Sequence, residues 1–102
     1  GIDRVLAIKN ALRIPAENIV DVSTERADWN SFKQLKVVGS NIPGLLKDGR
    51  YYDTKEGLLF YEMHDPDKCI TVTLKNERYK KIIFEVVDKD KDAKLIKSII
   101  HK

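Results

Sequence analysis

Apolar and polar residues alternate most regularly in the second half of the chain. In Cys69–Leu74, Ile70, Val72 and Leu74 fall on one side and Thr71 and Thr73 on the other. That is the period-two signature of an amphipathic strand. Lys81–Val87 repeats it, with Ile82, Phe84 and Val86 on one side, and Arg50–Lys55 and Leu58–His64 also read as strands. Between them lie a turn at Lys55-Glu56-Gly57, a turn at Asp65-Pro66-Asp67-Lys68 and a polar connection over Lys75–Tyr79. Proline presets the backbone angle for the second position of such a turn. Strands joined by short polar turns predict an antiparallel meander. Asp88 then caps a closing helix, with Ala93, Ile96, Ile99 and Ile100 on one side, Leu95 beside them, and Lys91, Lys94, Lys97 and Lys102 around the remainder. A narrow apolar stripe on a charged helix has to dock on a sheet.

The first half is less regular. Val5, Ile8 and Leu12 stand three and four apart, so the spacing predicts a helix over residues 2–13, opened by Asp3 and ended by Pro15. A strand over Arg4–Lys9 is the competing reading. Ile19–Thr24, rich in β-branched residues, predicts a strand entered through a turn at Ala16-Glu17-Asn18. Asp28–Leu35 predicts one or two helical turns with Trp29, Phe32 and Leu35 on a shared face, and Lys36-Val37-Val38 is extended again. Gly39, Gly44 and Gly49, with Pro43 among them, then predict a long ordered bend over residues 39–52, where the chain enters its main sheet.

Composition narrows the class. A chain of 102 residues with 42% hydrophobic content predicts one domain over 1–102 with one core. It opens on Gly1 rather than methionine, which leaves room for a further strand ahead of it. Charged residues make up 34%, and the formal net charge is only +3, well short of a dedicated nucleic-acid binder. The single cysteine, Cys69, excludes an internal disulfide and suits a reducing, cytoplasmic compartment. No apolar run approaches the roughly 18 residues that span a bilayer, and no signal peptide is visible.

Several clusters invite chemistry. The glycine bend offers backbone N–H groups to a phosphate but lacks the Gly-Lys-Ser/Thr ending of a P-loop, so it reads as a structural turn. His64, Asp65, Asp67 and Cys69 lie close together and suggest a metal or small-molecule site. Metals need three or four convergent ligands, and a nucleophilic thiol needs an activating base, so a turn followed by an inert thiol is the plainer reading. Lys75, Arg78, Lys80 and Lys81, with Tyr79 among them, form the densest basic cluster. Arg50, Tyr51 and Tyr52, with Lys47 and Lys55 nearby, make a second basic and aromatic patch, or else one tyrosine is core and the other surface. Trp29 and Phe32 are candidate partner anchors. No catalytic triad or glycosidase carboxylate pair assembles, and neither cofactor nor metal is expected.

The runs Arg13-Ile14-Pro15…Ile19-Val20-Asp21-Val22 and Gly39-Ser40-Asn41-Ile42-Pro43-Gly44 resemble those of a group of uncharacterised bacterial proteins with a G-T-x-I-P-G corner. Ser40 stands where threonine is usual. Some members look like bacterial pleckstrin-homology-like (PH-like) domains. The resemblance implies an α+β fold: a strongly bent, mostly antiparallel sheet, nearly a barrel, plugged by a C-terminal helix, here with an N-terminal helix as well. It brings no catalytic residues, and fold analogy carries function poorly. The expectation is therefore a non-enzymatic interaction module for a protein or peptide partner, by strand addition at a sheet edge, or for an anionic membrane. Nucleic-acid binding through the basic patches, a small-molecule site near His64 and Cys69, and homodimerisation are the alternatives.

Overall fold

The computed structural model describes residues 5–8, 12–26, 34–38 and 47–100. Strands β1 (Val5–Ile8) and β2 (Leu12–Pro15) form an antiparallel hairpin, with Leu6 opposite Ile14 and Ile8 opposite Leu12. The helix expected over 2–13 is therefore absent among its described residues, and the competing strand reading holds over Val5–Ile8, Arg4 and Lys9 lying outside the described residues. The three-and-four spacing of Val5, Ile8 and Leu12 is a coincidence of position, since Val5 and Ile8 stand an odd number apart in one strand and Leu12 opens the other. Leu6, Leu12 and Ile14 join the core.

A single 3-10 turn, Ala16–Asn18, leads into β3 (Ile19–Ser23). The remaining strands are β4 (Gln34–Val38), β5 (Lys47–Asp53), β6 (Gly57–Met63), β7 (Cys69–Leu74) and β8 (Lys81–Glu85). Of the helical turns expected over 28–35, residues 28–33 lie outside the described residues, and Gln34 and Leu35 belong to a strand. Most of the glycine bend, residues 39–46, is also outside them, but its last part is plain strand from Lys47 onward. Gly49 sits inside β5 with φ of 104°, an angle that favours glycine.

The six strands form one open sheet in the order β3-β7-β8-β6-β5-β4. β3 and β4 are its margins. Every neighbouring pair is antiparallel except β6 and β8, which run parallel, with Phe60 opposite Ile82. The antiparallel meander expected from the turns is thus corrected. Hairpin β7–β8 does not fold back beside β6 in sequence order. The connection over residues 64–68 carries the chain past one position, and β8 later fills it. Short turns dictate reversal of direction, but not which strand becomes the neighbour.

Helix α1 (Lys89–Ile100) packs on β3, β7 and the 3-10 turn. Asp88 caps it as expected, its Oδ1 accepting from the Lys91 N–H at 3.1 Å. Ala93 and Ile96 are buried and Ile99 and Ile100 half-buried, against Ile19, Val22, Ile70, Val72, Leu74, Ile82 and Phe84. Burying each large aliphatic side chain contributes about 1.5–3 kcal/mol. The opposite face of the sheet is also dry: Leu59, Tyr61, Met63, Cys69 and Ile83 form a second cluster. No helix among the described residues is long and apolar enough to cross a membrane.

Candidate functional site

The two ends of the sheet differ in construction, and each gathers one set of candidate residues. At one end, the β5–β6 turn is held by Asp53, a buried carboxylate whose Oδ1 accepts from the N–H groups of Lys55 at 2.8 Å and Glu56 at 2.9 Å. Such local bonds to the backbone fix the turn. Gly57 closes it with φ of 101°, and a Cβ there would come within 3.0 Å of the Lys80 Cγ. The β7–β8 connection lies alongside. The Lys80 N–H donates to the Leu58 carbonyl at 2.8 Å, and Lys81 pairs with Glu56 at 2.8 Å. The 3-10 turn completes this end: the Lys75 N–H donates to the Asn18 carbonyl at 2.8 Å, and the Asn18 amide donates to Glu77.

This turn end therefore joins Lys75, Arg78, Lys80 and Lys81 to Lys55. Lys55, Lys75, Arg78 and Lys80 are exposed, and none of the four makes an ion pair among the described residues. Of the acids at this end, Asp53 bonds to its own turn, Glu56 pairs with Lys81 and Glu77 accepts from Asn18, while Glu17 on the 3-10 turn is exposed. Asn76 takes a left-handed conformation, φ 56°, which a short polar side chain tolerates better than most. Tyr79 turns inward and packs edge-on against Phe60, their ring centroids 5.5 Å apart.

The second basic and aromatic patch divides between the faces of β5, with Arg50 and Tyr52 on one and Tyr51 on the other. Adjacent strand residues point to opposite faces. Tyr51 packs edge-on against Tyr61 at 5.4 Å in the second core cluster. Tyr52, 48% exposed, is aligned with Leu58 beside the turn end. Arg50 is half-buried two positions further along β5, and Lys47 opens that strand at the far end. The reading of one core and one surface tyrosine is the one that fits. Sequence reasoning named Lys55 only as a neighbour of this patch; the turn-to-turn bond from Lys80 to Leu58 places it with the other cluster.

At the other end, residues 64–68 cross the end of β8. One oxygen of Glu85 accepts from the N–H groups of both His64 and Asp65, each at 2.7 Å. His64 Nδ1 lies 3.6 Å from that oxygen. The Val86 N–H donates to the Lys68 carbonyl at 2.9 Å, and Asp67 pairs with Arg26 at 3.1 Å. Partial burial alone raises the Glu85 carboxyl, but the Asp65 and His64 N–H groups and the His64 side chain outweigh it and hold it below its usual value. Glu85 is a structural latch that the sequence did not single out.

Cys69 and His64 do not form a reactive pair. Cys69 is 1% exposed and its Sγ points to the Asp65 carbonyl at 3.5 Å, while His64 is half-exposed and turned to Glu85. Burial, with Glu85 and Asp65 adding to it, pushes the thiol up to about 11, so it stays protonated at neutral pH. No group of three or more histidine, cysteine or carboxylate side chains is placed to hold a metal among the described residues. Trp29, Phe32 and the glycine bend at 39–46 lie outside the described residues. No protein-family model, curated protein or solved structure matches this chain.

Proposed function

We propose that the protein is a non-catalytic module that docks on an anionic membrane surface through the turn end of its sheet. The observation that carries this reading is the fastening of two turns side by side, which leaves Lys55, Lys75, Arg78 and Lys80 exposed and without acidic partners among the described residues. A basic side chain near an anionic bilayer contributes about 1 kcal/mol. Four of them give about 4 kcal/mol, a millimolar dissociation constant in accessible lipid. That is weak and reversible attachment, suited to concentrated surface charge. The exposed ring of Tyr52 flanks the same end, and tyrosine is favoured at the headgroup level.

Two observations weigh against the other binding modes. Strand addition needs a regular free edge, and both marginal strands are irregular: β3 breaks register between Ile19 and Asp21, and β4 between Lys36 and Val38. Bulged and short margins are how sheets discourage pairing. Single-stranded nucleic acid binds by stacking on aromatic faces, and the tyrosine inside the basic connection is turned to the core, which leaves the flanking Tyr52 as the exposed ring at this end among the described residues. Kinship with PH-like domains stands as a proposal beside this one. A closing helix after Asp88 is in keeping with it, while the parallel β6–β8 pair departs from an all-antiparallel sheet.

Co-sedimentation with phosphatidylcholine vesicles, with and without phosphatidylserine, tests the reading. Pelleting is expected only with the anionic lipid, and the triple variant Lys75→Gln, Arg78→Gln, Lys80→Gln should weaken it by about 100-fold. Undiminished binding of that variant, or equal pelleting on neutral vesicles, removes the membrane reading. Retention on a polyanion column without vesicle binding would move the assignment to nucleic acid.

A further inference from the structure

Resting on the membrane reading, we infer that the protein docks end-on, with the β5–β6 and β7–β8 turns against the bilayer and the crossover end, with Val87, held away from it. The charge distribution along the strands sets this polarity. Residues 16–18, 53–57 and 75–81 at the turn end hold five basic side chains against four acidic ones. Residues 62–68 and 85–92 at the crossover end hold seven acidic side chains against three basic ones. The two ends are therefore of opposite sign in a chain whose formal net charge is only +3.

Distance makes the polarity effective. β6 has seven residues, so the ends are about 20 Å apart at roughly 3.3 Å per residue. Surface charges are screened over about 8 Å at physiological ionic strength. An anionic surface touching the turns attracts the near end while the acidic end lies beyond the screening length. Inverting the molecule brings the acidic excess within that length and the attraction is lost. Lying flat exposes both ends to the field at once and gives up the advantage. The end-on pose follows from the arrangement of charge, with no pocket for a particular headgroup.

The pose also assigns a free surface. Val87 is fully exposed in the link between β8 and α1, beside the residue 64–68 crossover, and it faces away from lipid in this orientation.

Site-directed fluorescence decides the pose. Thr54→Cys, at the exposed β5–β6 turn, and Val87→Cys, at the far end, are each labelled with a thiol-reactive fluorophore. Cys69 is buried and takes up no label in the folded protein, so the unsubstituted chain is the blank. The labelled proteins are bound to phosphatidylserine-containing vesicles that carry a nitroxide quencher on the headgroup. Quenching is expected to be severalfold stronger at position 54 than at position 87, and to vanish when salt releases the protein. Equal quenching at both positions, or stronger quenching at 87, overturns the end-on pose and leaves membrane binding standing. Failure of the unlabelled protein to bind the vesicles at low salt overturns both.

Discussion

Ile82→Ala is expected to lower the free energy of unfolding by about 3–5 kcal/mol, near the upper end for a buried isoleucine. Its strand, β8, is flanked on both sides, by β7 and by β6, and Ile82 is opposite Val72 on one and Phe60 on the other. The side chain is 0% exposed. Its neighbours are held by ladders on either hand and by the helix above, so the space left by three methyl-sized groups has little means of collapsing. Domains of this size have only about 5–15 kcal/mol of stability in all, and the variant is expected to fold marginally. Urea unfolding measures the loss as a shift in midpoint at constant slope. Val20→Ala, 51% exposed on the marginal strand β3, is the control and should change stability by no more than about 0.5 kcal/mol. A loss below about 1 kcal/mol for Ile82→Ala would contradict a central, tightly packed β8.

Removing the Glu85 carboxylate is expected to cost about 2–3 kcal/mol at neutral pH. Glu85→Ala leaves the His64 and Asp65 N–H groups without their acceptor, and bonds to a charged group are worth about 1.5–3 kcal/mol each. The side chain is 24% exposed, so water replaces part of the loss. The pH dependence follows from the lowered carboxyl. A carboxyl held below its unfolded value adds stability above that value, roughly 4.3, and loses it as pH falls through the folded one. The gap between the natural chain and Glu85→Gln should therefore be present at pH 7 and shrink in acid. Paired urea titrations at neutral and strongly acidic pH give the comparison, and a gap of the same size at both would show that the carboxylate's charge is not what holds the crossover.

The β7 and β8 alternation, the Asp88 cap and the apolar stripe of α1 are all readable in the chain because they are local. Periodicity reports which face a residue takes. It does not report which strand lies next door, so the insertion of β8 between β6 and β7 left no trace in the residues. The dry second face did leave one: Leu58-Leu59-Phe60-Tyr61 and Ile82-Ile83-Phe84 are continuous apolar runs, the mark of strands covered on both sides. Reading only their alternate members concealed it. Val5, Ile8 and Leu12 fitted a helix because four-residue strands are too short for their period to outweigh a coincidental spacing. At the basic end, Lys75, Arg78, Lys80 and Lys81 were visible as neighbours in sequence, whereas Lys55 joins them through the Lys80–Leu58 hydrogen bond and the Lys81–Glu56 ion pair.

The parallel pairing of β6 with β8 carries a consequence for the route by which the polypeptide reaches its native state. Hairpins β5–β6 and β7–β8 are each closed by a few residues and can form early, at small loop-closure cost. Their union along β6 and β8 joins positions more than twenty residues apart, for example Leu59 with Lys81. The seam at the middle of the finished sheet therefore knits after both hairpins, as does the still longer-range pairing of β3 with β7, Ile19 with Leu74, and non-local pairings of this kind slow the approach to the native state. Substitutions that weaken the β6–β8 seam should speed unfolding and leave refolding rates nearly unchanged, a late-forming signature in φ-value measurements.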